Sequence, residues 1–193
     1  MINMLDNMNY NIIKLCSYFS DYYNNLMKQN ITYNAICNEF QKCQQDDDLL
    51  QIGCTFKLKN NNIFQWEVTM YGPKKTPYEN GIFTICILFP LDYPRHGPEF
   101  KFLNKVYHLN VDWKNNLGHI SLNHLNEWGV CGKVTKFPTY GIKQALFDIF
   151  CLFFDQGVES CYDERMGIQY RDNPAEFNKI AAEWTQRYTK YYI

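Results

Sequence analysis

Residues 66–83 read "WEVTMYGPKKTPYENGIF", and this stretch is the most informative about the fold. The stretch begins within residues 64–71, which are rich in the aromatic and β-branched residues that favour strands. Residues 72–81 combine Pro and Gly in a pattern typical of turns. The apolar run 82–89, "IFTICILF", predicts a second strand. The stretch therefore predicts two strands joined by a tight connection.

Strand patterns continue on both sides of this stretch. Residues 49–58, "LLQIGCTFKL", predict an earlier strand, and the Asn run 60–62 predicts the hairpin turn that follows it. After "PLDYPRHGP", residues 99–103 predict a shorter fourth strand. Four consecutive strands with short turns are typical of an antiparallel meander.

Helical periodicity flanks the strands. Apolar residues at 36, 40 and 43 predict a helix that ends at the acidic run Asp46–Asp48. Apolar positions between 142 and 153 predict a buried helix. A last helix is expected from Pro174, with Asn173 as its N-cap. The order of helix, strands, irregular segment and helices predicts an α+β domain.

The first 30 residues predict a helical extension in front of a domain at 31–193. Its apolar residues recur in steps of three and four, as in an amphipathic helix. Two interpretations remain open, namely packing against its own domain and binding of a partner. The apolar positions are Met8, Ile12, Leu15, Phe19, Tyr22 and Leu26.

Composition narrows the function classes. The chain has 193 residues, of which 46% are hydrophobic and 17% aromatic, enough for a core and too many for a disordered chain. The formal net charge of −1 gives no global field for nucleic acid, so we expect no nucleic-acid partner. We also expect no membrane span, because no apolar run approaches the roughly 18 residues that one needs.

The eight cysteines predict a reducing compartment. None forms a CxxC pair, and several lie in apolar runs, such as Cys86 in "FTICILF" and Cys151 in "DIFCLFF". This pattern favours buried free thiols over zinc ligands, so we expect no metal and no cofactor. Because the N-terminus also lacks a secretory signal, a cytosolic or nuclear protein is expected.

Residues 104–138 are the predicted location of any chemistry, because a long irregular segment inside a domain is usually functional or disordered. Within it, "YHLNVDWKNNLGHISLNHL" (107–125) contains His108, Asn110, His119, Ser121 and His124 without metal-ligand spacing.

Several blocks resemble the ubiquitin-conjugating enzyme (E2) family. Residues 66–83 are similar to that family's W-x-x-x-x-x-G-P-x-x-[ST]-P-Y-x-x-G-x-F signature, and "FPLDYP", "YHLN" and the terminal "YRDNPAEFNKIAAEWTQRY" follow in the family's order. The resemblance covers roughly residues 31–190. It implies the ubiquitin-conjugating (UBC) fold, with an N-terminal helix, a four-stranded antiparallel meander, a long active-site segment and C-terminal helices.

The resemblance also implies a chemistry. Members carry ubiquitin or a relative as a thioester on one cysteine, and here "GHISL" places Ser121 at that position. His108 and Asn110 match the outer residues of the family's His-Pro-Asn motif, while Leu109 replaces the proline. By resemblance, His108 is a structural histidine. Asn110 would stabilise the oxyanion of lysine attack, unless it only bonds the loop backbone.

Serine is a poor substitute for the cysteine, because its hydroxyl is essentially un-ionised near pH 7 and needs an adjacent base. Four interpretations are open. Ser121 has no catalytic role, or it is an engineered Cys→Ser change, or it pairs with His119 or His124. Alternatively, Cys131 is a displaced nucleophile.

Other departures concern the surfaces where family members bind partners. The stretch "YNAICNEF" (33–40) has no basic residue for an activating enzyme. Arg95 replaces an apolar ligase anchor, and residues 129–137 are inserted between Trp128 and Pro138 in a ligase-facing loop. The family's Asp-Pro-Asn turn reads Asp155-Gln156-Gly157.

Two functions follow from these residues. The first is a non-catalytic E2 variant that binds ubiquitin or a ubiquitin-like protein, an active E2, a ligase (E3) or an adaptor complex. The alternative is an active E2 transferase whose catalytic cysteine has been replaced by Ser121. Arg95 and Pro138 mark the predicted partner-binding surface in either case.

Overall fold

The computed structural model describes residues 26, 30–115, 117–122, 141–158 and 161–189. Helix α1 includes residues 30–44. The elements after it are α2 (Asp47–Gln51), β1 (Thr55–Lys59), β2 (Asn62–Tyr71), β3 (Ile82–Leu88), β4 (Glu99–Phe102), β5 (Val111–Asp112), β6 (His119–Ile120), α3 (Ile142–Leu152), α4 (Glu164–Asp172) and α5 (Pro174–Tyr188). The predicted extension lies, apart from Leu26 and residue 30, outside the described residues.

One antiparallel sheet organises the described part of the chain, with the strand order β1-β2-β3-β4-β6-β5. The predicted four-stranded meander is confirmed as β1–β4, and so is the α+β class. Asn60 and Asn61 have φ angles of 52° and 56°, which a two-residue type I′ hairpin turn requires. The two-residue strands β5 and β6 extend the sheet with residues of the segment predicted to be irregular.

The turn between β2 and β3 explains the sequence signature around it. The Gly72 N–H donates to the Gly81 carbonyl at 2.9 Å and closes the turn. A Cβ at position 72 would lie 1.7 Å from the Tyr78 carbonyl oxygen, so only glycine fits there. Thr76 Oγ1 donates to the Pro73 carbonyl at 2.7 Å. The turn thereby places the Tyr78 side chain fully inside the protein.

The strand predicted for residues 49–58 is wrong in its first half. Residues 47–51 form the short helix α2, and β1 begins only at Thr55. The Asp46 side chain accepts a hydrogen bond from the Leu49 N–H at 3.1 Å, and two further acidic residues occupy the first turn. Gly53 then ends the helix with a φ of 80°. The N-cap and the acidic first turn outweighed the apolar run.

The core lies between the sheet and the helices. Trp66 in β2 is fully buried. The centroid of its ring lies 4.9 Å from that of Phe40 in α1 and 4.6 Å from that of Phe89. The predicted helix at 142–153 is confirmed as α3, and Asn173 caps α5 by accepting a hydrogen bond from the Glu176 N–H. Helix α4 was not predicted. Together these elements bring the loop at 107–110 to the end of α3.

Candidate active-site region

Backbone hydrogen bonds bring Asn110 and Ser121 side by side. The Ser121 N–H donates to the Asn110 carbonyl at 2.9 Å. The turn between β5 and β6 needs Gly118, which has a φ of 91° and whose added Cβ would lie 2.3 Å from the Phe102 carbonyl oxygen. Both side chains line an open pocket of ≈ 240 Å³, called the Ser121 pocket below. Its lining residues are Asn110, Ser121, Leu122, Asp148, Cys151, Leu152, Asp155 and Gly157.

His108 is a buried, neutral histidine that holds the loop. Its Nε2 hydrogen-bonds the Leu152 carbonyl at 2.9 Å, and its Nδ1 accepts from the Asn110 N–H at 3.0 Å. Since Nδ1 is an acceptor, the ring proton lies on Nε2. Burial lowers the pKa of His108 to about 4. These contacts fix residues 108–110 to the end of α3.

Leu109 and Gln156 are two departures from the family pattern that meet in space. Leucine at 109 has a backbone N–H that proline would lack, and the residue is 1% exposed. Gln156 Oε1 accepts this N–H at 2.9 Å, and Gln156 Nε2 donates to the Tyr78 hydroxyl at 2.8 Å. That hydroxyl donates to the Tyr107 carbonyl at 2.8 Å. Gln156 therefore supplies the partner that the missing proline makes necessary.

The Asn110 carboxamide pairs with the backbone of Gly157. Its Nδ2 donates to the Gly157 carbonyl at 2.8 Å, and its Oδ1 accepts from the Gly157 N–H at 3.0 Å. A Cβ at position 157 would lie 3.3 Å from Nδ2, so glycine permits this close approach. These contacts tie the Asn110 side chain to the Gly157 backbone.

Ser121 lies next to Tyr162, a residue that the sequence analysis missed. The hydroxyl of Tyr162 is 3.0 Å from His119 Nδ1, and the two rings contact edge to face. Burial raises the pKa of Tyr162, and a side-chain hydrogen bond with Ser121 partly offsets that rise. His119, one of the two histidines considered as a base for Ser121, is thus hydrogen-bonded to Tyr162. No sequence motif marks Tyr162.

Cys151 corrects the expectation that cysteines in apolar runs are buried. Cys43, Cys54 and Cys86 are buried free thiols, and burial raises the pKa of both Cys43 and Cys54 to about 12. Cys151 is instead exposed and lines the Ser121 pocket. It falls outside the buried stripe of α3, which consists of Ile142, Ala145, Leu146 and Ile149. Its apolar sequence neighbours did not reveal this.

The predicted partner residues lie elsewhere or outside the described residues. Arg95 is exposed on the turn at 90–96, and it does not line the Ser121 pocket. Thr32 Oγ1 of α1 donates to the Leu91 and Tyr93 carbonyls at 3.1 and 2.8 Å, which ties this turn to α1. Pro138, the insertion at 129–137, Cys131 and His124 lie outside the described residues.

Across the described ranges, no group of three or more His, Cys, Asp or Glu side chains could hold a metal ion. Within that part of the chain, no helix combines the length and hydropathy needed to cross a membrane.

The first testable prediction concerns His108 and pH. Its pKa of about 4 in the folded protein is lower than the ordinary value of 6.5, so the unfolded chain binds more protons between these two pH values. The free energy of unfolding should therefore fall as the pH drops from 6.5 to 4, with His108 contributing roughly 3 kcal/mol at most. Urea titrations at several pH values measure this, and His108→Gln should flatten the slope.

Thr32→Val is the control for this experiment. It removes a buried hydroxyl that donates to the Leu91 and Tyr93 carbonyls but no titratable group, so it should lower the free energy of unfolding and keep its wild-type dependence on pH. An unchanged slope in His108→Gln would contradict the assignment of a neutral, buried imidazole.

The second prediction concerns the pairing of Leu109 with Gln156. Gln156→Leu leaves the buried Leu109 N–H without its acceptor and should lower the free energy of unfolding by about 1–3 kcal/mol. Leu109→Pro removes the N–H itself, so the double variant should lose less stability than the sum of the two single variants. Gln144→Leu is the control, since Gln144 makes an exposed bond to Asp148 on α3. Strictly additive losses would show that the two residues act independently.

Comparison with known proteins agrees with this fold. The family model for ubiquitin-conjugating enzymes matches residues 35–185. Ubiquitin conjugating enzyme E2 B of Dictyostelium discoideum is 31% identical over 137 residues, which cover 71% of this chain and 86% of that protein. The crystal structure of a Plasmodium yoelii protein assigned as a ubiquitin conjugating enzyme aligns with a TM-score of 0.69 at 30% identity, covering 82% of this chain and 96% of the other. With a UBC fold and matches of this extent, the chain belongs to the ubiquitin-conjugating enzyme family.

Proposed function

We propose that the chain acts in ubiquitin or ubiquitin-like conjugation as a non-catalytic module, comparable to an E2 variant, in the cytosol or nucleus. The observation that carries this proposal is the serine at position 121, where the resemblance to the family implies the nucleophilic cysteine. A thiol is partly ionised near pH 7 and exchanges acyl groups readily, whereas a serine hydroxyl stays protonated without a base. A thioester therefore cannot form at position 121, because the serine side chain has no sulfur.

The surroundings of Ser121 support the same proposal. The Asn110 carboxamide exchanges two hydrogen bonds with Gly157, so it serves the loop. His119 Nδ1 is hydrogen-bonded to the Tyr162 hydroxyl, so this ring nitrogen already has a partner other than Ser121. A serine nucleophile requires a base in direct hydrogen-bond reach.

The partners of such a module would be ubiquitin or a ubiquitin-like protein, an active E2, an E3 ligase or an adaptor complex. The turn at 90–96 offers a surface for one of them, since Arg95 is exposed and Leu91 is 68% exposed. This turn has the charged Arg95 where the resemblance implies an apolar ligase anchor. Helix α1 has no basic residue at 33–40, where the resemblance implies basic residues for the activating enzyme. We therefore expect a partner set of its own, without nucleic acid.

The second candidate is a transferase that normally carries cysteine at 121. The observation in its favour is the hydrogen bond between the Ser121 N–H and the Asn110 carbonyl at 2.9 Å, since it keeps the two positions adjacent in one open pocket.

The third prediction separates the two candidates by a charging assay. The wild-type chain and Ser121→Cys are incubated with activating enzyme, ATP and a panel of ubiquitin-like proteins, and adducts are resolved with and without reductant. We expect no adduct for either protein, because the wild-type chain has no thiol at 121 and both lack basic residues at 33–40 for the activating enzyme. Calorimetric titration with the uncharged modifiers and with active E2 proteins should then identify a non-covalent partner.

Other outcomes of the assay would overturn the proposal. A reductant-resistant ester on the wild-type chain would make Ser121 a nucleophile. A reductant-sensitive adduct that Cys151→Ser abolishes would make Cys151 the nucleophile instead. Charging of Ser121→Cys with one modifier would support the transferase.

A further inference from the structure

We propose that two copies of this chain associate through an apolar stripe that runs from the N-terminal segment onto α1, called the N-terminal stripe below. The stripe of one copy pairs with the same stripe of a second copy as a two-stranded coiled coil. This inference goes beyond the proposed function and does not depend on it, since it concerns neither position 121 nor the Ser121 pocket.

The described part of the N-terminal stripe lies on α1 and is exposed at its N-terminal end. Leu26 is helical, as are residues 30–44. Leu26 and Tyr33 are seven residues apart, which is about two helical turns, and they are 47% and 48% exposed. Phe40 follows after another seven residues and is half-buried, because its ring packs against Trp66. One face of the helix thus passes from the core at Phe40 to open surface at Tyr33 and Leu26.

The sequence continues this stripe towards the N-terminus. Apolar residues recur there in alternating steps of three and four, which is the heptad spacing of positions a and d in a coiled coil. The pattern spans about three heptads, a length at which it indicates a coiled coil. Leu26 and Tyr33 both fall at position a, so the exposed end of α1 shares the register of the preceding segment. The residues of the pattern are Leu5, Met8, Ile12, Leu15, Phe19, Tyr22 and Leu26.

The distribution of charge favours a second copy of this chain over a charged partner helix. The charged residues before residue 30 all fall at positions b or c, away from the N-terminal stripe. They are Asp6, Lys14, Asp21 and Lys28. Positions e and g, which flank the stripe, carry only uncharged residues between 5 and 30. Because charges at e and g set partner choice in coiled coils, their absence leaves identical chains without repulsion along the stripe.

Packing against the chain's own domain would require a reversal that the sequence does not provide. An open groove of ≈ 410 Å³ lies between α1 and the β1–β2 hairpin, and Tyr33 and Phe40 line its α1 side. To reach this groove, the preceding segment would have to turn back just after Leu26. Residues 27–29 are Met, Lys and Gln, which all favour helix, and the chain contains no Gly or Pro before Gly53. An uninterrupted helix leads the stripe away from the domain and leaves it for another molecule.

The apolar area of the N-terminal stripe matches what a dimer needs. The transfer free energy of a large apolar side chain corresponds to roughly 60–120 Å² removed from water. The residues of the pattern in two copies would therefore bury about 800–1,700 Å². Stable interfaces bury about 1,200–2,000 Å², so the stripe alone reaches this range.

The test measures the mass of the full chain by sedimentation equilibrium at micromolar to submillimolar concentrations. The stripe variant carries Leu15→Asp and Leu26→Asp, which place a carboxylate at one d and one a position. The matched control carries Ser17→Asp and Asn24→Asp, which add the same charge at two f positions on the opposite face of the helix. A milder variant, Leu26→Ala, shortens one side chain of the stripe and keeps a strong helix former.

We expect the wild-type chain and the control to sediment at about twice the chain mass of 23.1 kDa. The stripe variant should be monomeric, with its dissociation constant raised at least about hundredfold, because each new carboxylate would be buried beside its copy. Leu26→Ala should raise the constant by at least about tenfold. Thermal unfolding of each variant is recorded in parallel to confirm that the domain is folded.

Three results would overturn the proposal. The first is a monomeric wild-type chain, and a lower Tm of the stripe variant would then assign the stripe to the chain's own domain. The second is a stripe variant that remains dimeric, because the contact between copies would then lie elsewhere. The third is a control variant that dissociates as readily as the stripe variant. An adduct in the charging assay would refute the proposed function without bearing on these masses.

Discussion

The architecture around the site depends on the hydrogen bonds of one buried hydroxyl, that of Tyr78. Buried polar groups need hydrogen-bond partners, and this hydroxyl links three segments of the chain. Tyr78 is fully buried, and burial holds its pKa well above the ordinary range, so it remains a neutral donor. It donates to Tyr107 and accepts from Gln156, while its ring contacts Phe153 at 4.9 Å. The β2–β3 turn, the loop at 107–110 and the end of α3 therefore meet at one side chain. An unpaired hydroxyl at this depth would cost about 1–3 kcal/mol.

This constraint explains why two departures from the family pattern occur together. With leucine at 109 the chain gains a buried N–H, and with glutamine at 156 it gains the acceptor for that N–H as well as a donor for Tyr78. Glycine at 157 then allows the Asn110 carboxamide to pair with the backbone. The residues at 109, 156 and 157 therefore act together, and their hydrogen bonds keep the loop at 107–110 in place.

The sequence predicted the fold more completely than the site. The strands and turns follow from local sequence patterns, whereas the contacts of the site join residues that are far apart in the sequence. The meander followed from local strand and turn patterns between residues 55 and 103, and the α5 cap followed from adjacent residues. The strand expected at 49–54 was wrong because the N-cap Asp46 outweighed an apolar run. In the site, the hydrogen bond of Leu109 to Gln156 spans 47 residues and that of His119 to Tyr162 spans 43, and no local pattern encodes either. The exposure of Cys151 likewise depends on which side of α3 faces the pocket.

The departures from the family pattern at 109, 156 and 157 are compensated by hydrogen bonds, whereas the loss of the thiol at position 121 is not. This difference bears on function. At position 109, where leucine adds a buried N–H that proline would lack, Gln156 supplies the acceptor. At position 121 the fold uses the backbone, whose N–H bonds the Asn110 carbonyl whatever the side chain is. Replacing a thiol by a hydroxyl there removes reactivity while leaving that bond intact. A chain selected only for its fold could therefore accumulate this change freely, whereas a chain selected for thioester chemistry could not. The hydrogen-bonded loop beside Ser121 is what the proposed non-catalytic function requires, because such a protein would act through the surfaces of the UBC fold.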